Sequence, residues 1–216
     1  DVLGPRHLHL TARGELALIH THRLRADADL RAGLLAVEAR WAEFVSWTAD
    51  NFGNDQEAAY WLDRALTLAG QADQPTLVAY MLMRQAQQAA DHRDGQQAVV
   101  LAAAAAQQPL LSRRDRALCA IRAAQGRAIV GDGRGCHGAI RHAATLVAEA
   151  GDRDGFDDPH TIGRHCGPAY VTAHEGYCHL RLGQHRTAVD VLEQVLRAWP
   201  APYRQDEGIA RAWLAL

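Results

Sequence analysis

The chain has 216 residues, a formal net charge of −2 at pH 7 and a pI near 6.7. It is long enough to bury a substantial core, and its charge balance argues against its gripping a phosphate backbone, which needs a clustered basic face. No run approaches 18 apolar residues, so no membrane-spanning helix is expected. Cys119, Cys136, Cys166 and Cys178 form no C-x-x-C pair and suit a reduced cytoplasmic protein better than a disulfide framework.

Alanine, leucine and arginine dominate while Val, Ile and Thr are sparse, which predicts an all-α chain. A first helix is predicted over residues 11–24. A helical hairpin over 27–72 follows, with Leu30, Leu34, Val37, Trp41, Phe44, Val45 and Thr48 recurring at three- and four-residue steps. Gly53 ends its first arm. Asn54 caps the second, and Glu57 three residues on predicts a capping box. Pro75 opens a second hairpin over 75–108, turning at Asp94-Gly95. Ser112 and Asp115 cap a third over 112–151, turning at Gly131-Asp132-Gly133 and running through arms at 113–130 and 135–150. Residues 152–168 are the one long irregular stretch, a length that is usually functional or disordered. A fourth hairpin spans 168–200, and an incomplete helix starts at Tyr203. The chain starts without a methionine or a signal-peptide pattern and breaks off inside a helical pattern, so it reads as a segment of a longer protein.

In the fourth hairpin small residues stand where two helices must touch, Gly176 on one arm and Ala188 on the other, and prolines flank the pair at Pro168 and Pro200. That layout resembles a tetratricopeptide repeat. Taking Ala58, Ala98, Ala139 and Ala188 as equivalent gives spacings of 40, 41 and 49 residues, against about 34 in the standard repeat. The fold expected is a single domain: a right-handed superhelical α-solenoid of antiparallel helical hairpins, each covering its apolar face by stacking on the next.

Residues 38–89, which begin EARWAEFVSWTADNFGN, resemble the effector half of a group of actinobacterial transcription regulators. So do residues 166–202, with CGPAYVTAHEGYCHLRLGQ and then WPAP. Those proteins join an N-terminal XRE-type helix-turn-helix domain to a long tetratricopeptide-like array. The resemblance implies a sensor or interaction module of a cytoplasmic regulator, touching DNA only indirectly, through a domain absent from this chain.

In such arrays the first helix of each hairpin lines the concave face. The alanine register places Arg40, Glu43, Trp47 and Asn51 there in hairpin one. Hairpin two contributes Tyr80, Met83, Gln87 and Asp91 with Arg84 adjacent, and hairpin three the small apolar Ile121, Ala124 and Ala128. Hairpin four contributes Tyr170, Ala173, Tyr177 and Arg181 with His174 beside them. Aromatic rings, charges and amides around a small-residue floor suit a small organic molecule or a peptide. The alternatives are a scaffold binding an extended peptide, a homodimer formed through the unpaired last helix, and a metal-dependent enzyme.

The enzyme reading rests on His160, His165, Cys166, His174, Cys178 and His179. His174 and Cys178 share a helix face and, with His165 or Cys166, offer soft-metal ligands. Cysteine replaces the second histidine of an H-E-x-x-H pattern, so neither catalysis nor a cofactor is expected. Asp152, Asp154, Asp157 and Asp158 fail the spacing of a calcium loop. Phe156, Ile162 and Tyr170 mark the long loop as a candidate lid.

Overall fold

The computed structural model describes residues 5–150 and 163–216, and among them the chain is all-helical, with no strand. The helices are α1 (Pro5–Arg25), α2 (Ala28–Asn51), α3 (Asp55–Gln71), α4 (Pro75–Asp91), α5 (Gly95–Ala106), α6 (Arg113–Ile129), α7 (Gly133–Glu149), α8 (Pro168–Arg181), α9 (His185–Leu196) and α10 (Arg204–Leu214). No helix is long and apolar enough to cross a membrane among the described residues. The chain divides into two compact units, residues 1–85 and 86–216.

In the first unit α2 packs between α1 and α3. Alanines at 36, 39 and 42 with Val45 let the helices approach, and Leu62, Leu68, Leu77 and Met81 fill the space between them. The helix α1 begins at Pro5, six residues before the predicted start. Its N-terminal turns escaped the periodicity because one of the positions it buries is His9, a polar residue. That ring bonds Thr48 Oγ1 at 2.8 Å and Glu57 Oε1 at 3.2 Å, so its burial is satisfied. The predicted capping box forms only in part. Asn54 accepts from the Glu57 backbone at 3.2 Å, but the Glu57 carboxylate accepts from the Asn54 side-chain amide at 2.9 Å instead of its backbone N–H, while its other oxygen faces His9 and Arg13. At Ser112 and Asp115 the full reciprocal box forms.

In the second unit the helices from α5 to α10 pack one on the next in chain order, and α8 also lies on α6. The α5–α6 contact is backbone against backbone: a Cβ on Gly126 would stand 2.6 Å from the Gly95 carbonyl oxygen. Gly176 serves α8 and α9 the same way, with Leu192 Cγ 2.6 Å from where its Cβ would be. The predicted loop reaches the described residues only at 163–167, and there it is anchored: Asp115 Oδ1 accepts from the Gly163 N–H at 2.7 Å, and Arg114 donates to the Cys166 carbonyl at 2.8 Å.

One turn recurs between the arms of the hairpins. A residue at positive φ (Gly53, Arg93, Gly131, Gly183) is followed by a capping residue (Asn54, Asp94, Asp132, Gln184). The capping N–H reaches back to Ala49, Ala89, Arg127 and His179, while its carbonyl receives the N–H of Ala58, Ala98, Cys136 and Ala188. This is the left-handed helix stop joined to a new helix start. It corrects the sequence register: the third member of the series is Cys136, not Ala139, and the spacings become 40, 38 and 52 residues. Asp132 also starts α7 at Gly133, two residues earlier than predicted, by accepting from the Gly135 N–H.

Candidate functional site

Counting back from each positive-φ residue gives matched positions on the first helices. Seven residues before it stand Ser46, Ala86, Ala124 and Gly176, all small and buried. Nine before it stand Phe44, Arg84, Arg122 and His174. Thirteen before it stand Arg40, Tyr80, Leu118 and Tyr170, and six before it Trp47, Gln87, Gln125 and Tyr177. In hairpin three, therefore, Ile121 keeps its predicted place, but Ala124 and Ala128 belong to the packing face. Arg122 and Gln125 are the residues the sequence reading missed. The turn glycines at 53, 131 and 183 were the signal that finds them.

In the first unit Arg84 donates from Nε to Glu43 Oε1 at 2.9 Å, and both are buried. Burial opposes the charge on Arg84, and the Glu43 carboxylate outweighs it, holding the guanidinium above its ordinary pKa. Tyr80 exposes part of its ring, but its hydroxyl is enclosed. Burial first, and the Glu43 charge second, push that hydroxyl up. Trp47 is half-buried and stacks on Phe44 with centroids 5.6 Å apart. Arg40 and Asn51 are exposed, and Met83 is buried.

In the second unit Arg122, 4% exposed, donates to Gln125 Oε1 at 2.8 Å, His174 Nε2 at 3.2 Å and the Tyr170 hydroxyl at 3.0 Å. The other ring nitrogen of His174 lies 3.0 Å from the Tyr170 carbonyl. A carbonyl only accepts and a guanidinium only donates, so His174 is the neutral tautomer with its proton on Nδ1. Burial, then the Arg122 charge, hold its pKa well below 6.5. Trp213 of α10 meets His174 edge-on at 5.1 Å and Tyr177 at 4.8 Å. Arg181 lies over the Tyr177 ring, 5.0 Å from its centroid. Asp206 faces the same cluster; burial raises its pKa against the pull of Arg122. Tyr170, His174 and Tyr177 are thus buried, whereas Gln87 and Arg181 are half-exposed.

The predicted soft-metal ligands are not brought together. His165 lies against the Tyr170 ring, His174 is held by Arg122, and Cys178 is buried within α8. Among the described residues no three His, Cys, Asp or Glu side chains gather closely enough to hold a metal ion. His160, the four aspartates from Asp152 to Asp158, Phe156 and Ile162 lie outside the described residues. An open hollow of about 450 Å³ is lined by Glu193, Leu196, Arg197, Arg211 and Leu214, none of them a predicted site residue. No family model matches the chain, and no curated protein matches it either.

Proposed function

We propose that the chain is the binding array of a cytoplasmic transcription regulator of the actinobacterial XRE type. In this reading the hairpins of each unit stack in the right-handed, tetratricopeptide-like manner and take a small molecule or a peptide on the walls made by their first helices. The observation that carries it is the recurrence of polar and aromatic residues at the matched positions, Arg84, Arg122 and His174 above all. A wall that merely filled space would be more stable with apolar residues there, because buried charges cost their hydration. Exposure divides the labour. Arg40, Trp47, Asn51, Gln87 and Arg181 present atoms to a ligand, while Glu43 with Arg84, and Arg122 with Tyr170 and His174, hold the walls in place. Bound ligand then biases the array between conformations, and a separate helix-turn-helix domain reads out the change.

The test is thermal denaturation of the purified chain against a panel of metabolites and short peptides. A native-state ligand raises the midpoint; Trp47→Ala removes that rise for a ligand held by the first unit and Arg181→Ala for one held by the second, neither lowering the midpoint of the unliganded chain by more than a few degrees. A rise that survives both substitutions places recognition elsewhere. Self-association is the second reading. Leu10, Leu18 and Leu24 are exposed on α1, facing away from the side it buries against α2. Concentration-dependent sedimentation, reversed by Leu10→Ser with Leu24→Ser, favours it.

A further inference from the structure

The turns fix which face of each first helix meets which neighbour. Five residues before the positive-φ residue, a first helix meets the second helix of the hairpin before it. Gly126 lies against α5 there, and Thr48 bonds His9 of α1 at 2.8 Å. So α1 stands to α2 as a second helix stands to the first helix that follows it. Two residues earlier, a first helix meets its own second helix. Ser46 Oγ donates to the Ala58 carbonyl of α3 at 2.7 Å, and Leu192 Cγ of α9 lies 2.6 Å from where a Cβ on Gly176 would be. Both Ser46 and Gly176 are buried.

The same register reaches α10. Ala210 is buried among Leu192 and Val195 of α9, so it holds the place of Gly126. Two residues earlier stands Gly208, small again, in line with Ser46, Ala86, Ala124 and Gly176. But Gly208 is exposed, and a Cβ on it would meet nothing within 4 Å. Ala212, one turn on, and Ile209 beside it are exposed as well. Among the described residues, therefore, α10 is a first helix with no second helix on it, and α1 is a second helix with no first. Away from α2, α1 exposes Leu10, Gly14, Leu18 and Leu24, and a Cβ on Gly14 would also meet nothing within 4 Å. We propose that copies of the chain join head to tail, α1 of one copy lying on Gly208 and Ala212 of the next and completing its last hairpin.

Charge selects this pairing. The first turn of α10 carries Asp206 and Glu207, and the last turn of α1 carries His22, Arg23 and Arg25. The arms of a hairpin run antiparallel, which sets those two ends side by side. Parallel pairing would bring Arg211, in the last turn of α10, to the basic end instead. A symmetric contact between two α1 helices gains nothing, because the first turn of α1 has no acidic residue. Stacked arrays stay soluble when their terminal helices turn a polar face outward; both of these outer faces are apolar, and each has a glycine that admits close approach. The inference rests on the self-association reading and names the surface that receives α1. The two surfaces differ, so the contact repeats from copy to copy.

Sedimentation velocity of the full chain over a range of concentrations is the test. Expected is a mass that climbs past the dimer. Leu10→Ser with Leu24→Ser spoils the α1 face, and Gly208→Gln spoils the α10 face by adding bulk. All three positions are exposed, so thermal midpoints of the variants stay near the parent's. Each variant alone sediments as a monomer. Mixed in equal amounts they form a dimer and nothing larger, joined by the intact α10 of the first and the intact α1 of the second. A parent that stops at the dimer, or a Gly208→Gln variant that assembles as the parent does, overturns the head-to-tail contact and leaves self-association standing. A mixture that stays monomeric also overturns it. A parent that is monomeric at every concentration overturns both readings.

Discussion

His174 is caught between a group that only accepts and a group that only donates, and that fixes its titration. Its folded pKa lies well below 6.5. As pH falls through 6.5 the unfolded imidazole binds a proton that the folded one refuses. The stability tied to the neutral ring is therefore complete above that pH and is lost as pH falls toward the folded value. In His174→Asn, which bonds but does not titrate, the advantage of the parent chain shrinks in urea denaturation between about pH 7.5 and pH 5; a pH-independent difference would contradict the lowered pKa of the buried ring. At Glu43, replacement by alanine leaves the Arg84 charge buried without its carboxylate, a loss of about 3 kcal/mol. Glu43→Gln retains an acceptor and loses less, which equilibrium unfolding distinguishes. Of these residues the sequence revealed Glu43, Arg84 and His174 but not Arg122. An arginine inside an alanine-rich helix reads as a surface residue, and only the three-dimensional register of the turns exposes it as the centre of a buried network.

At the scale of elements the helices were legible because caps, prolines and apolar spacing agree. What misled was anchoring the repeat on alanine, a residue so frequent here that a wrong one, Ala139, sat within a turn of the right place. The positive-φ residue is the better anchor because chirality restricts what can occupy it. Three of the four turns use glycine there, and the fourth uses Arg93 at φ 62. Arg93→Gly relieves that strain and raises stability by about 0.5–1 kcal/mol, whereas Gly131→Ala, at φ 80, lowers it by about 1 kcal/mol. Paired denaturant titrations give both signs. A loss of stability in both variants would mean the Arg93 side chain stabilises the turn through contacts that outweigh its backbone cost.

At the scale of the molecule, the order of packing in the second unit follows the order of the chain, from α5 on α6 through to α10 on α8 and α9. In such an arrangement stability is a sum of hairpin and nearest-neighbour terms, so a lesion at one junction is felt first by the helices that share it. Gly126→Ala is the sharpest lesion available. The added methyl meets the Gly95 carbonyl oxygen and the Val99 side chain, and the carbonyl is backbone that no rotamer change can move aside. Overpacking of this kind costs about 1–3 kcal/mol. Amide hydrogen exchange in native buffer then accelerates in α5 and α6, to a lesser degree in α7, and stays at the parent rate in α9 and α10. Uniform acceleration through residues 86–216 would mean that the unit opens as one cooperative block. Under the proposed binding function, a ligand on one hairpin would then stabilise all of them equally instead of acting first on its neighbours.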